Sequence, residues 1–187
     1  MTNTPLELPI LLMAIVAPIG ALDVFWFHLY RFRLYAQPGS RAETVTHIAR
    51  GLLFALGLLA MLTWRPVGTW YWVVGGLFVL DFANNVADVL LEPSSRRPLG
   101  GLPPLEYLIH VVGATAAGGI TAAYFIAGWQ LRLEDTALVP LAGDALPAML
   151  RWQGWAAAAG GLLVALLEAV LLARSVLASR RGPHLAS

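Results

Sequence analysis

The chain has 187 residues, of which 58% are hydrophobic and only 12% are charged, and its mean hydropathy is +0.70. Soluble domains carry roughly 25% charged residues, so this composition excludes a soluble domain and predicts an all-α integral membrane protein. The formal net charge of +1 argues neither for nor against nucleic acid, but the arginines are spread along the loops and form no basic face, so we expect no nucleic-acid partner. Cysteine is absent, and this excludes disulfides and thiolate metal ligands.

Five segments are long and apolar enough to cross a bilayer core of about 30 Å, which takes about 20 helical residues each. The first lacks a basic start and a small-residue cleavage site, so we expect a transmembrane helix there and not a signal peptide. The five transmembrane helices are predicted at 8–30, 43–64, 69–91, 105–128 and 154–173. The predicted organisation is a four-helix core over 1–128, a connection over 129–153, a fifth helix over 154–174 and a polar tail over 175–187.

The placement of the arginines predicts the orientation of the chain. Arginines at alternate connections mark the cytoplasmic side, which puts the N-terminus outside and the C-terminus in the cytoplasm. Residues 129–153 then form an extracytoplasmic connection. Arginine is the only basic residue besides histidine, and Ala, Leu and Gly are abundant, which is typical of a GC-rich bacterial genome. The predicted location is therefore the bacterial cytoplasmic (inner) membrane. The cytoplasmic arginines are Arg31, Arg33, Arg41, Arg96, Arg97, Arg174, Arg180 and Arg181.

Two parts of the chain resemble each other. LDVFWFH precedes one arginine-containing loop and LDFANNVADVLLE precedes another, and a glutamate and a histidine four residues apart follow each loop. These pairs are Glu43 with His47 and Glu106 with His110. The pattern predicts an up-down bundle of two parallel-repeat helical hairpins plus a fifth helix. A pseudo-twofold axis along the membrane normal would place the two pairs across from each other at one depth.

Acidic side chains and histidines gather at the cytoplasmic ends of the predicted spans. A charge near the bilayer centre costs several kcal/mol, so these acids must be paired, protonated or bound to metal. Residues at i and i+4 share a helix face, so each such pair presents two donors together. The predicted metal ligands are Asp23, His28, Glu43, His47, Asp88, Glu92, Glu106 and His110. Residues predicted to support them, or to line a water, substrate or proton path, are Arg50, Asp81, Asn84, Asn85 and Glu168.

Oxygen and nitrogen donors without thiolates suit iron, manganese or zinc. The donors exceed what one ion needs, so the expected cofactor is two divalent transition-metal ions, with iron favoured. This ligand chemistry is similar to that of di-iron and di-manganese sites in ferritin-like carboxylate proteins. The likeness is not one of sequence, because those proteins use Glu-x-x-His and this chain has Glu-x-x-x-His.

Structural explanations compete with metal binding. Ser40 and Glu43 have the spacing of a capping box, and Glu106 lies in a first helical turn, where acids favour the helix dipole. Capping explains neither histidine of the two pairs. Salt bridges are the second alternative, in which Arg96 and neighbouring arginines would pair with Asp88, Glu92 or Glu168.

Iron at this site predicts an oxidoreductase that acts on a lipid-soluble small-molecule substrate and draws on an electron donor. Zinc predicts a membrane hydrolase in which a carboxylate is the base for metal-activated water. A metal ion or proton transporter is a third hypothesis, and a haem-binding electron carrier with His47 and His110 as axial ligands is a fourth. Membrane lipids surround the protein, and its small-residue helix faces allow a homodimer.

Overall fold

The computed structural model describes residues 4–181. Five long helices dominate it, and each, with its flanking helical turns, is long and apolar enough to cross a membrane. The predicted all-α class with five helices long and apolar enough to span a membrane is therefore confirmed, and it is consistent with a multi-pass membrane protein. The helices are α1 (Glu7–Leu22), α2 (Arg41–Thr63), α3 (Thr69–Arg96), α4 (Pro104–Ala127) and α5 (Ala148–Arg181).

The first span changes its helical form before it leaves the membrane. α1 continues directly into a π-helical segment, Asp23–Arg31. A π-helix has i→i+5 hydrogen bonds and a wider turn than an α-helix, and such segments are frequent at functional sites. Asp23 and His28 are five residues apart, so this turn brings their side chains to one side of the helix. The Nε2 atom of His28 lies 3.7 Å from Oδ2 of Asp23.

The fifth helix is an integral part of the bundle. α2 packs mainly against α3 and α5, whereas α1 packs mainly against α4 and α5. α5 therefore lies against both helices of the first predicted hairpin. Its contact with α2 is close because it is made by glycines: a Cβ atom added to Gly51 would lie 3.0 Å from the carbonyl oxygen of Gly161. α5 is also longer than the predicted span of 154–173 at both ends.

A two-stranded antiparallel sheet closes one end of the bundle. β1 (Trp64–Val67) lies in the turn between α2 and α3, and β2 (Ala137–Pro140) lies in the connection between α4 and α5. Trp64 pairs with Pro140 and Val67 pairs with Ala137. The sequence did not predict this pairing. Gly68, which follows β1, has a φ of 59° and directly precedes α3.

The apolar core lies at the same end as the sheet. Leu6 and Ile10 of the N-terminal region pack there with Leu58 of α2 and with Tyr71 and Tyr124. The hydroxyl group of Tyr124 donates to the carbonyl oxygen of Tyr71 at 2.8 Å. The buried acidic and histidine side chains belong to the opposite ends of the same helices. One half of the bundle is therefore apolar, and the other half holds charged and polar groups.

Candidate metal centre

All five transmembrane spans contribute to one cluster of titratable side chains. The π-helical segment and the first turns of α2 and α4 bring acids and histidines, the last turns of α3 bring acids and an arginine, and α5 brings one acid. Every member is buried except His110, which is partly buried. The cluster consists of Asp23, His28, Glu43, His47, Asp88, Glu92, Arg96, Glu106, His110 and Glu168.

The first donor group consists of Asp23, His28, Glu106 and His110, and one ligand atom from each lies within 4.8 Å of the others. The Nε2 atom of His28 is 3.4 Å from Oε1 of Glu106. The Nε2 atom of His110 is 3.1 Å from Oδ2 of Asp23. Ligands bound about 2.1 Å from one ion are about 3.0–3.4 Å apart at octahedral or tetrahedral angles. The spacing of these atoms therefore suits a shared cation.

The second donor group consists of His28, His47 and Glu168. The rings of His28 and His47 meet edge to face, with centroids 4.0 Å apart. Glu168, predicted from the sequence to support the ligands, is 2% exposed and stands among the donors themselves. The two groups share His28, so this imidazole is the centre of the cluster.

Several donor atoms are buried without a hydrogen bond. Neither ring nitrogen of His28 makes a hydrogen bond among residues 4–181, although Nε2 lies within ion-pair distance of Asp23 and Glu106, and the residue is only 1% exposed. One carboxylate oxygen each of Asp23, Glu106 and Glu168 is in the same condition. A buried polar group left unsatisfied costs about 1–3 kcal/mol, and native proteins contain few of them. These four residues could therefore use the free donor atoms to hold a metal ion, although Glu43 and Asp81, outside both donor groups, also have buried oxygens without hydrogen bonds.

Arg96 joins the two glutamates of the predicted Glu/His pairs. Its guanidinium is 1% exposed, donates a hydrogen bond to Glu106 and lies 2.8 Å from Oε1 of Glu43. The sequence had suggested Asp88, Glu92 or Glu168 as its partners. Glu43 lies outside both donor groups, whereas Glu106 shares the same arginine and is also a member of the first donor group.

The capping explanation for Glu43 does not apply. Ser40 precedes α2 but its side chain makes no capping hydrogen bond. Its hydroxyl group donates instead to the carbonyl oxygen of Ser95 at 3.4 Å. Burial of Glu43 therefore follows from the arginine in the cluster and not from helix capping.

The cluster has more negative than positive groups. It holds six carboxylates, one guanidinium and three imidazoles among the described residues. Even with all three imidazoles protonated, two negative charges remain in excess. Buried charges are stable only when they are paired, so the arginine alone is insufficient and a cation or bound protons must compensate.

Glu92 holds one nitrogen of His110. Its carboxylate binds Nδ1 of His110, which leaves Nε2 facing Asp23. Metal-bound histidines generally donate their second ring N–H to a carboxylate or carbonyl group in this way, and this partner fixes the ring orientation. Glu92 is placed to orient a ligand, and it lies outside both donor groups.

Asp88 contacts His47 from the side of α3. Its Oδ1 atom lies 3.2 Å from Nε2 of His47 and accepts a hydrogen bond from the hydroxyl group of Thr46 at 2.5 Å. Asn84 supports this arrangement because its amide nitrogen donates to the carbonyl oxygen of Thr46 at 2.9 Å. Sequence reasoning missed Thr46, although it lies directly before His47.

The remaining predicted residues form a separate polar patch. Arg50 lies one helical turn beyond His47 and donates to the carbonyl oxygen of Gly113 at 3.4 Å. With the amide of Asn85 turned so that its oxygen faces the guanidinium, Arg50 also donates to it at 2.6 and 2.9 Å. Asp81 belongs to neither donor group.

Together, these features define a helical, membrane-type protein with buried acidic and histidine groups that could hold a metal ion. A comparison with models of known protein families finds no match, and neither do comparisons with curated proteins and with solved structures. The function must therefore be inferred from the chemistry of the cluster itself.

Proposed function

We propose that the chain is an integral-membrane metalloprotein with a carboxylate–histidine centre built on Asp23, His28, Glu106 and His110. The observation that carries this proposal is His28, a buried imidazole with neither nitrogen hydrogen-bonded among residues 4–181 and donor atoms of two groups around it. In this position a ring nitrogen of a neutral imidazole can either make a hydrogen bond or bind a metal ion. Apart from Arg96, the other members of the cluster are all carboxylates and imidazoles.

Iron is the metal we favour. Each donor group contains two histidines and at least one carboxylate, the ligand combination of non-haem Fe(II) oxygenases. With iron bound, the centre would support oxygen-dependent oxidation of a lipid-soluble substrate, with dioxygen as oxidant and an external electron donor. The residues of this chain would bind the ion, balance the charges of the cluster and exclude bulk water.

We further propose two ions, one for each donor group. His28 belongs to both groups. It would serve both ions only as an imidazolate, because a neutral imidazole carries a proton on one nitrogen and that proton would have to leave before both nitrogens could bind metal. In this proposal the two-ion centre lies within an up-down bundle of two repeated hairpins and a fifth helix. The arginine-rich ends and the cluster then face the cytoplasm of a bacterium, with the N-terminus outside the inner membrane.

The competing hypotheses differ in how well they fit the cluster. A haem with His47 and His110 as axial ligands would leave without a role both the buried ring of His28, whose centroid lies 4.0 Å from that of His47, and the surrounding carboxylates. An ion or proton transporter needs polar groups through the whole depth, whereas the opposite half is filled by the apolar core. A zinc hydrolase uses the same donors and is separated from an iron oxidase by the metal itself.

The test is elemental analysis with optical and electron paramagnetic resonance spectra of the purified protein. We expect about two iron ions per chain in the wild type and less than a tenth of that in His28→Ala. Asp81→Asn is the matched control, since it removes a membrane carboxylate outside both donor groups, and it should retain the metal. Well-folded protein that binds no metal after reconstitution would overturn the proposal.

A further inference from the structure

A pocket lies beside the centre, between the end of α3 and the start of α4. Its volume is about 510 Å³, within the range of roughly 300–1,000 Å³ typical of small-molecule sites. Two of its walls, Glu92 and Arg96, are also members of the titratable cluster. Glu92 binds His110 and Arg96 binds Glu106. One layer of side chains therefore separates this α3–α4 pocket from the first donor group.

Glu92 connects this pocket to the centre. Its side chain lines the pocket and is 9% exposed, close to the 10% and 9% of His110 and Asp23. The side chains of Glu43 and Glu106 are 0% exposed. A substrate in the pocket would therefore contact Glu92 before any residue of the first donor group.

The α3–α4 pocket is apolar along its depth and cationic at its mouth. Val89, Leu102 and Tyr107 contribute apolar surface, and exposed Arg97 stands at the rim. Val89 and Arg96 are seven residues apart on α3, which corresponds to about 10 Å of helix rise. A ligand that matches these walls has an anionic head and a hydrocarbon chain that extends at least that far into the bilayer.

We propose that the α3–α4 pocket holds an anionic phospholipid from the leaflet on the arginine-rich side. One acyl chain lies along Val89 and Leu102, and the headgroup phosphate lies at Arg97. The charge of Arg97 favours an anionic over a zwitterionic headgroup, by about fivefold for one arginine near the membrane surface. The inference rests on the proposed metal centre in one respect, because it makes the acyl chain of this lipid the substrate. One C–H bond of the chain would become C–OH with one atom of dioxygen, and two electrons and two protons from the external donor would reduce the other oxygen atom to water.

Native mass spectrometry tests the lipid site. Detergent-purified protein receives equal amounts of phosphatidylglycerol and phosphatidylcholine with identical acyl chains. We expect the wild type to retain phosphatidylglycerol with about fivefold preference, and Arg97→Gln to retain both lipids equally. Arg174→Gln is the matched control, since Arg174 is an exposed arginine that does not line the pocket, and it should keep the preference.

A second pair of variants tests the hydrocarbon part. Val89→Trp fills the pocket and should abolish lipid retention. Val86→Trp makes the same change one turn away, at a side chain that is 49% exposed and does not line the pocket, and should leave retention unchanged. Equal retention in all four variants and the wild type would overturn the proposal.

The link to the centre needs its own measurement. Protein loaded with Mn²⁺ is mixed with phosphatidylglycerol that carries a nitroxide on one acyl chain, and the nitroxide spectrum is recorded. We expect Mn²⁺-dependent broadening in the wild type and in Val86→Trp but not in Val89→Trp. Mn²⁺ that binds without broadening the bound lipid's spectrum would overturn the substrate role.

The two proposals fail separately. If the wild type binds neither iron nor Mn²⁺, yet Arg97→Gln and Val89→Trp still lose lipid selectivity or retention, the metal centre and the substrate role are overturned while the lipid site is supported. If metal binds normally and neither Arg97→Gln nor Val89→Trp changes lipid retention, only the lipid inference is overturned.

Discussion

The carboxylate of Glu92 binds Nδ1 of His110 and thereby leaves Nε2 of the same ring directed at Asp23, 3.1 Å away. Loss of the negative charge in Glu92→Gln should weaken metal binding by about 10–100-fold, the usual effect of removing such a partner. Competition titration with a chelator measures this affinity. Glu134→Gln, which removes the acid of an exposed ion pair with Arg65, should bind metal as the wild type does. Equal affinities in both variants would show that Glu92 does not orient the ligand.

Replacement of His28 should have opposite effects on stability with and without metal. In the metal-free protein, His28→Leu removes a buried imidazole that has no hydrogen bond in the described chain, so its stability should be equal or higher. The wild type should gain about 2.7 kcal/mol at a metal concentration 100 times Kd, and the variant should gain none. Thermal unfolding in detergent, with and without added metal, measures both effects. A metal-induced shift of the same size in His28→Leu would contradict the assignment.

Arg96 should be essential for the stability of the titratable cluster. Arg96→Met leaves Glu43 and Glu106 without their shared partner, and breaking a buried ion pair costs about 3–5 kcal/mol. Unfolding in a denaturing detergent should detect the loss. The double variant Arg96→Met/Glu43→Gln should recover part of it, because one uncompensated charge is removed. A full-sized loss in the double variant would mean that Glu43 is not coupled to Arg96.

The glycine contact between α2 and α5 should determine where Glu168 lies. A Cβ atom added to Gly161 would be 3.2 Å from the carbonyl oxygen of Gly51, so Gly161→Val must push the helices apart. Glu168 is seven residues further along the same helix, so we expect the second donor group to lose its ion. A Cβ atom added to Gly160 would meet nothing within 4 Å, which makes Gly160→Val the matched control. Metal counts per chain distinguish the two, and equal counts would contradict this prediction.

Much of this architecture could be predicted from the sequence because the bilayer imposes simple requirements. Helix length and hydropathy predict the five spans to within a few residues at most ends. The Glu43 and His47 pair and the Glu106 and His110 pair could be found because their i, i+4 spacing agrees with the α-helices that carry them. Their convergence at one end of the bundle follows from alternation of the spans.

Other features depend on contacts that no local pattern encodes. Asp23 and His28 are spaced for a π-helix, and an α-helix would turn them to different sides. The partners of Arg96 depend on how α3 meets α2 and α4, because Glu43 and Glu106 lie on those two helices. Glu168 joins the ligands because Gly51 and Gly161 let α5 approach α2, which the predicted hairpin repeat did not include. The pairing of β1 with β2 is likewise non-local.

The apolar core and the titratable cluster occupy opposite halves of the bundle, and this division separates assembly from metallation. Contacts such as that between Tyr71 and Tyr124 can hold the helices together in a newly inserted chain that contains no ion. The ion can then arrive later, from the compartment that the arginine-rich ends face. If the proposed centre forms, supply of metal would thus control how much of the protein carries the ion, while the apolar half keeps the metal-free chain folded.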